Sequence, residues 1–139
     1  MNSSPLGPLG ILSVHNRYAE PGGEDISTEM EERLLESRGD RVVRFSRENQ
    51  AIEALSFGKK VALLWQTSWS RQVYREVREI IEREQPHLAH FHNVFPLISP
   101  SAYLACRDAG VPIVQTCHNY RVFCPKITFW REGKWLLKT

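Results

Sequence analysis

Apolar positions along the chain fall alternately into short runs and helical stripes, and this alternation predicts a strand–helix order typical of α/β domains. Leu9 to His15 is a short apolar run that fits a buried strand, and Arg41 to Ser46, with Val42, Val43 and Phe45, fits a second. Leu88 to Phe91 reads as a third. The fourth, Pro112 to Cys117, is rich in β-branched residues without clean alternation, as expected for a parallel strand covered on both faces. Between the strands, Ile26, Met30 and Leu34 repeat at helical spacing, as do Val73, Val77, Ile80 and Ile81, and then Ala102, Tyr103, Cys106 and Ala109. Glu48 to Phe57 also has helical spacing. Asp25, or Glu24 beside it, is expected to cap the first of these helices. Ser70 opens the helix that Pro86 ends, and Ser99 with Pro100 opens the last. Gly39 and Gly110 stand where helices stop. Right-handed crossovers then arrange four parallel strands in the order 2-1-3-4, an α/β, Rossmann-like three-layer domain.

Lys59 to Trp69 departs from the pattern. Val61 to Trp65 is apolar all round, with Lys59-Lys60 before it and Trp69, Arg71 and Arg75 after it. The segment either packs under the sheet edge or lies on a membrane surface, where cations would favour anionic lipid. Met1 to Pro8, rich in Ser, Pro and Gly, reads as a flexible leader, 9–125 as the domain, and 126–139 as a hairpin turning at Glu132-Gly133 or the start of a continuation.

Composition narrows the function classes. With 139 residues, 42% hydrophobic and 24% charged, the chain supports one core. A net charge of +2 argues against a nucleic-acid partner. Three cysteines make no even disulfide set and Met1 to Gly10 lacks the features of a signal peptide, so a cytoplasmic location is expected. No run approaches the roughly 18 to 20 apolar residues of a membrane span.

The chemistry gathers at strand ends. His92-Asn93-Val94-Phe95 and His118-Asn119-Tyr120 both follow strands, and open α/β sheets bind ligands at the carboxyl ends of their strands. His118, with Asn119, Tyr120 and Arg121, offers hydrogen-bond donors, an aromatic face and a fixed positive charge, a set that suits a polyhydroxylated or phosphorylated ligand. The pair Gly22-Gly23 precedes a helix, where bare backbone lets a ligand approach closely. Metal binding is not expected: His90 and His92 share a strand face, but His87 faces the other way and no C-x-x-C or H-E-x-x-H pair is present. Nor is there a G-x-G-x-x-G, a Walker lysine loop or a G-x-S-x-G elbow.

Several motifs in order, His15-Asn16-Arg17 with Gly22-Gly23-Glu24, His90-Phe91-His92-Asn93, Phe95-Pro96-Leu97, Ser99-Pro100, Thr116-Cys117-His118-Asn119-Tyr120-Arg121 and Cys124-Pro125, resemble the amino-terminal domain of family 4 glycosyltransferases. The resemblance implies one half of a GT-B architecture, in which two Rossmann-like domains enclose the site where a sugar passes from a nucleotide-sugar donor to a glycan or lipid-linked acceptor. It implies retention of anomeric configuration and no cofactor, the nucleotide-sugar being a co-substrate. His118 is then the catalytic candidate beside the transferred sugar. Gly22, Gly23 and Glu24 would approach the donor phosphates or the acceptor, and Asn16, Asn93, Phe95, Asn119, Tyr120 and Arg121 are acceptor-side candidates. The family's second, donor-binding domain with its E-x7-E motif has no counterpart in these residues. By itself the chain is therefore expected to be catalytically incomplete, its partner being a donor domain or, through Phe129, Trp130 and Trp135, a second copy of itself. The alternative reading is a non-catalytic sugar- or nucleotide-binding module, or a degenerate fragment.

Overall fold

The computed structural model describes residues 7–18, 20–48 and 69–118, together with the backbone of 130–131 and 134–135. Its main sheet has four parallel strands, β1 (Gly10–Arg17), β2 (Arg41–Glu48), β3 (Leu88–Phe91) and β4 (Ile113–Gln115), in the order β2-β1-β3-β4. This is the order expected from right-handed crossovers, and the domain is α/β and Rossmann-like. Helix α1 (Gly23–Ser37) covers one face, while α2 (Arg71–Glu84) and α3 (Ser101–Asp108) cover the other. Two short strands, β5 (Trp130–Arg131) and β6 (Lys134–Trp135), pair antiparallel where the hairpin is expected. Of the segment with helical spacing, Glu48 ends β2, and its remainder 49–57, the apolar run 61–65 and the loop 119–125 lie outside the described residues, as do the side chains of Phe129, Trp130 and Trp135.

The core lies on the α2/α3 side. Alternate strand residues Leu12 and Val14 of β1 and Ala89 and Phe91 of β3 point there. They pack with Val73, Val77 and Ile81 of α2 and with Ala102, Ala105 and Cys106 of α3. Ser70 caps α2, its hydroxyl accepting the Val73 amide at 3.2 Å. Helix α2 ends with Gln85 in the left-handed region (φ 46°), and its amide donates to the Ile81 carbonyl at 2.9 Å. Gly39 (φ 92°) and Gly110 (φ 70°) follow α1 and α3 in the positive-φ conformation that glycine adopts without steric cost.

Helix α3 begins at Ser101, later than Ser99-Pro100 predicts. The Ser99 hydroxyl is engaged elsewhere, 3.1 Å from the Ser70 amide and 2.5 Å from the Ser101 hydroxyl, tying the starts of α2 and α3 together. Gly22 rather than Asp25 or Glu24 holds the N-cap position of α1, and Asp25 caps from within the first turn, its carboxylate accepting the Gly22 amide. The orientation of α1 also corrects the sequence pattern. The apolar row turns outward, with Ile26 55%, Met30 67% and Leu34 61% exposed, while Thr28 and Glu32 are buried. The reason lies in the strands beneath, because the sheet face under α1 presents Ser13, His15, His90 and His92. Glu32 meets that face by accepting from the Ser13 hydroxyl at 2.5 Å and from Arg44 Nε at 2.6 Å. Strand β4 differs as well: Ile113, Val114 and Gln115 are all exposed rather than covered on both faces, and among the described residues β4 is the outermost strand on its side of the sheet.

Candidate functional site

At the carboxyl ends of β1, β3 and β4 a continuous polar network joins the three loops. Asp25, in the first turn of α1, is its anchor: its carboxylate accepts from the Gly22 amide at 2.9 Å, from the Tyr18 amide at 3.4 Å and from His15 Nε2 at 2.9 Å. His15 Nδ1 accepts the Asn93 amide at 3.4 Å, so the ring proton sits on Nε2 and is donated to Asp25. Asn93 in turn holds the loop after β3. Its Nδ2 donates to the Tyr18 hydroxyl at 3.0 Å, its Oδ1 accepts the Phe95 amide at 3.2 Å, and its carbonyl accepts the Asn16 amide at 2.6 Å. Asn16 Nδ2 reaches the Phe95 carbonyl at 3.0 Å.

His92 lies at the centre. Its ring is edge-on to His15 at 5.9 Å between centroids and stacks on His118 at 5.4 Å. His92 Nδ1 and His118 Nε2 are 3.2 Å apart, a hydrogen bond whose donor depends on the tautomer. Burial, with His90, His118 and His15 close by, pushes the His92 imidazole down from 6.5 to about 3, so at neutral pH it is an uncharged hydrogen-bonding group. His90 stands beside it, with Nε2 2.8 Å from the Thr116 hydroxyl. Gln115 Nε2 donates to the His92 carbonyl at 2.6 Å and braces β4 against the loop.

Placement of the sequence candidates is uneven. Asn16, Asn93 and His118 belong to one network, and Gly22 joins it through Asp25. Phe95 is exposed at the rim. Asn119, Tyr120 and Arg121 lie outside the described residues. The Gly22 amide turns inward to Asp25 rather than toward a ligand. Neither Gly22 nor Gly23 has positive φ, and a Cβ at Gly23 would meet nothing within 4 Å. Fold conformation and packing therefore do not require glycine at 23, and the bare backbone there faces open space.

Sequence reasoning treats Asp25 only as a cap and passes over Tyr18 and Glu31. Tyr18 carries no local signal, since its partner Asn93 is remote in sequence. Glu31 sits in an acidic run that reads as a solvated face, yet its carboxylate lies 3.7 Å from His90 Nδ1 and 3.9 Å from His92 Nδ1.

These features define a class: an α/β domain whose polar rim, rich in neutral hydrogen-bonding groups, lies at the carboxyl ends of a 2-1-3-4 parallel sheet. The model of Glycosyltransferase Family 4 matches residues 21–139, and the chain belongs to that family. No curated protein and no solved structure matches it.

Proposed function

We propose that the chain is the acceptor-side half of a retaining glycosyltransferase, moving a sugar from a nucleotide-sugar donor to a glycan or lipid-linked acceptor without a cofactor. The observation that carries this reading is the network from Gly22 through Asp25, His15 and His92 to His118, which links three strand ends along one rim. In it His118 is a polar ring fixed by an uncharged neighbour. Such a group can hydrogen-bond a sugar hydroxyl and strengthen that bond as positive charge develops at the anomeric carbon. Gly22, Gly23 and Glu24 form the edge that donor phosphates or the acceptor approach. Asn16, Asn93 and the exposed ring of Phe95 shape the acceptor side, with Asn119, Tyr120 and Arg121 completing it. A second domain supplies the opposite wall, because transfer needs donor and acceptor held together in a site that excludes water. The rim alone therefore binds weakly, with Kd about 1 mM, on the order of −4 kcal/mol.

Ligand-detected NMR on the purified chain with a panel of nucleotide sugars tests this. Weak binding is expected, lost in Gly23→Val and reduced in His118→Ala, with the fold intact in both. Absence of binding by every sugar and nucleotide would favour a structural fragment instead.

We also propose a cytoplasmic location with peripheral contact at an anionic membrane face. Trp69 is exposed and, with Arg71, Tyr74, Arg75 and Arg107, lines a surface depression of about 740 Å³. Aromatic and cationic side chains together suit a headgroup layer. Among the described residues no helix is long and apolar enough to cross a membrane.

A further inference from the structure

We infer that Glu31, His90 and His92 form a binding site for a divalent transition-metal ion of the Zn²⁺ type, with His118 in reach as a fourth ligand. One ligand atom from each of the first three lies within 4.8 Å of the others. The Glu31 carboxylate is 3.7 Å from His90 Nδ1 and 3.9 Å from His92 Nδ1, and His118 Nε2 is 3.2 Å from His92 Nδ1. Tetrahedral zinc with ligands at about 2.0 to 2.1 Å places neighbouring ligand atoms roughly 3.4 Å apart. Neighbouring ligand atoms therefore close by up to about 1.4 Å to seat an ion, a movement shared between the Glu31 side chain and small rotations of the rings.

The surroundings fit the same chemistry. His90 Nε2 is 2.8 Å from the Thr116 hydroxyl, a partner that fixes the ring and leaves Nδ1 facing Glu31, as outer hydrogen bonds do for metal-bound imidazoles. His90 and His92 are buried, which holds their rings in place beside Glu31. Glu31 brings the negative charge and is half-exposed. A pocket of about 240 Å³ with Glu31 and His90 in its wall gives an ion a way in from solvent. Two imidazoles with one carboxylate favour Zn²⁺, Co²⁺ or Ni²⁺ over the oxygen-seeking Mg²⁺ and Ca²⁺.

An ion here is a regulator rather than a cofactor. Where His118 serves the sugar, as proposed above, drawing its Nε2 onto the metal takes that ring from the rim, and the ion opposes sugar binding. That consequence rests on the transferase reading, whereas the site itself does not.

Chelator-stripped full chain titrated with Zn²⁺ against a chromogenic competitor, and separately with Co²⁺ followed by visible absorption, tests the site. One ion per chain is expected, with the intense Co²⁺ bands of low coordination number. Glu31→Gln and His90→Ala should each weaken binding by more than about tenfold, and Thr116→Val by about tenfold through the outer hydrogen bond. Cys117→Ser should leave binding unchanged. Because His92→Ala removes a buried ring and could unfold the domain, the half-exposed Glu31 carries the decisive variant. Zn²⁺ uptake that is absent, or unaltered by Glu31→Gln and Thr116→Val, overturns the site and leaves an adventitious ion only. Nucleotide-sugar binding measured on metal-free protein is read separately, so either idea can fail without the other.

Discussion

Cys106 lies in α3 with no exposed surface, and burial pushes its thiol up from 9.0 to about 11. The unfolded chain releases this proton near pH 9 and the folded chain does not, so the contribution to stability is complete below pH 9 and is lost as pH rises from 9 to about 11. Urea midpoints measured across that range should fall, and Cys106→Ala should fall less steeply; equal slopes would remove the thiol as a cause. In the native chain an alkylating reagent followed by peptide mapping should modify the exposed Cys117 and spare Cys106. Asp25 belongs to the same scale. It receives hydrogen bonds from Gly22, Tyr18 and His15, so Asp25→Ala deprives the buried His15 ring and two half-buried amides of their acceptor and is expected to destabilise by about 1 to 3 kcal/mol in chemical denaturation. Asp25→Asn, retaining an acceptor, should be milder.

Helix α1 is held to the sheet through polar contacts. Glu32 is buried and paired with Arg44, which also reaches Glu36 at 2.7 Å. Arg44 is itself exposed, but removing it leaves the buried Glu32 carboxylate with only the Ser13 hydroxyl as a partner. Arg44→Leu is therefore expected to destabilise by about 1 to 2 kcal/mol, and the double change Arg44→Leu with Glu32→Leu should recover part of that loss. Thermal unfolding of the two single variants and the double variant measures the coupling, and purely additive losses would mean that the pair contributes nothing of its own. By contrast, Met30 and Leu34 face outward, so Met30→Lys is expected to change stability by less than about 0.5 kcal/mol. A helix that buried its apolar row would lose far more.

At the scale of the molecule, the transferase proposal requires a second wall to the site, so these residues by themselves should bind but not turn over. Radiolabelled sugar transfer by the purified chain is expected to be undetectable across a panel of nucleotide sugars; robust turnover lost in His118→Ala would mean that these residues hold a complete site. The Trp69 surface makes a separate prediction. The chain should co-float with anionic liposomes at low salt, release at high salt, and bind less when Arg71, Arg75 and Arg107 are changed together to Glu. No flotation at low salt would end the membrane reading.

Periodicity and punctuation in the sequence determined the elements and their order. Apolar runs marked the strands, Gly39 and Gly110 marked helix ends, and right-handed crossover chirality led from there to the parallel order 2-1-3-4. Strand alternation also placed His90 and His92 on one face. Tertiary structure alone decided which side of α1 faces inward, because a helical stripe reports a period and not the polarity of the surface beneath it. Ser13, His15, His90 and His92 make that surface polar, so Asp25, Thr28 and Glu32 turn toward the sheet and Ile26, Met30 and Leu34 turn away. It alone brought Glu31 to His90 and His92 across 59 and more residues of chain, for proximity between distant segments leaves no local trace in sequence. The exposure of β4 was likewise hidden, since a run of β-branched residues suits an exposed strand and a covered one equally well.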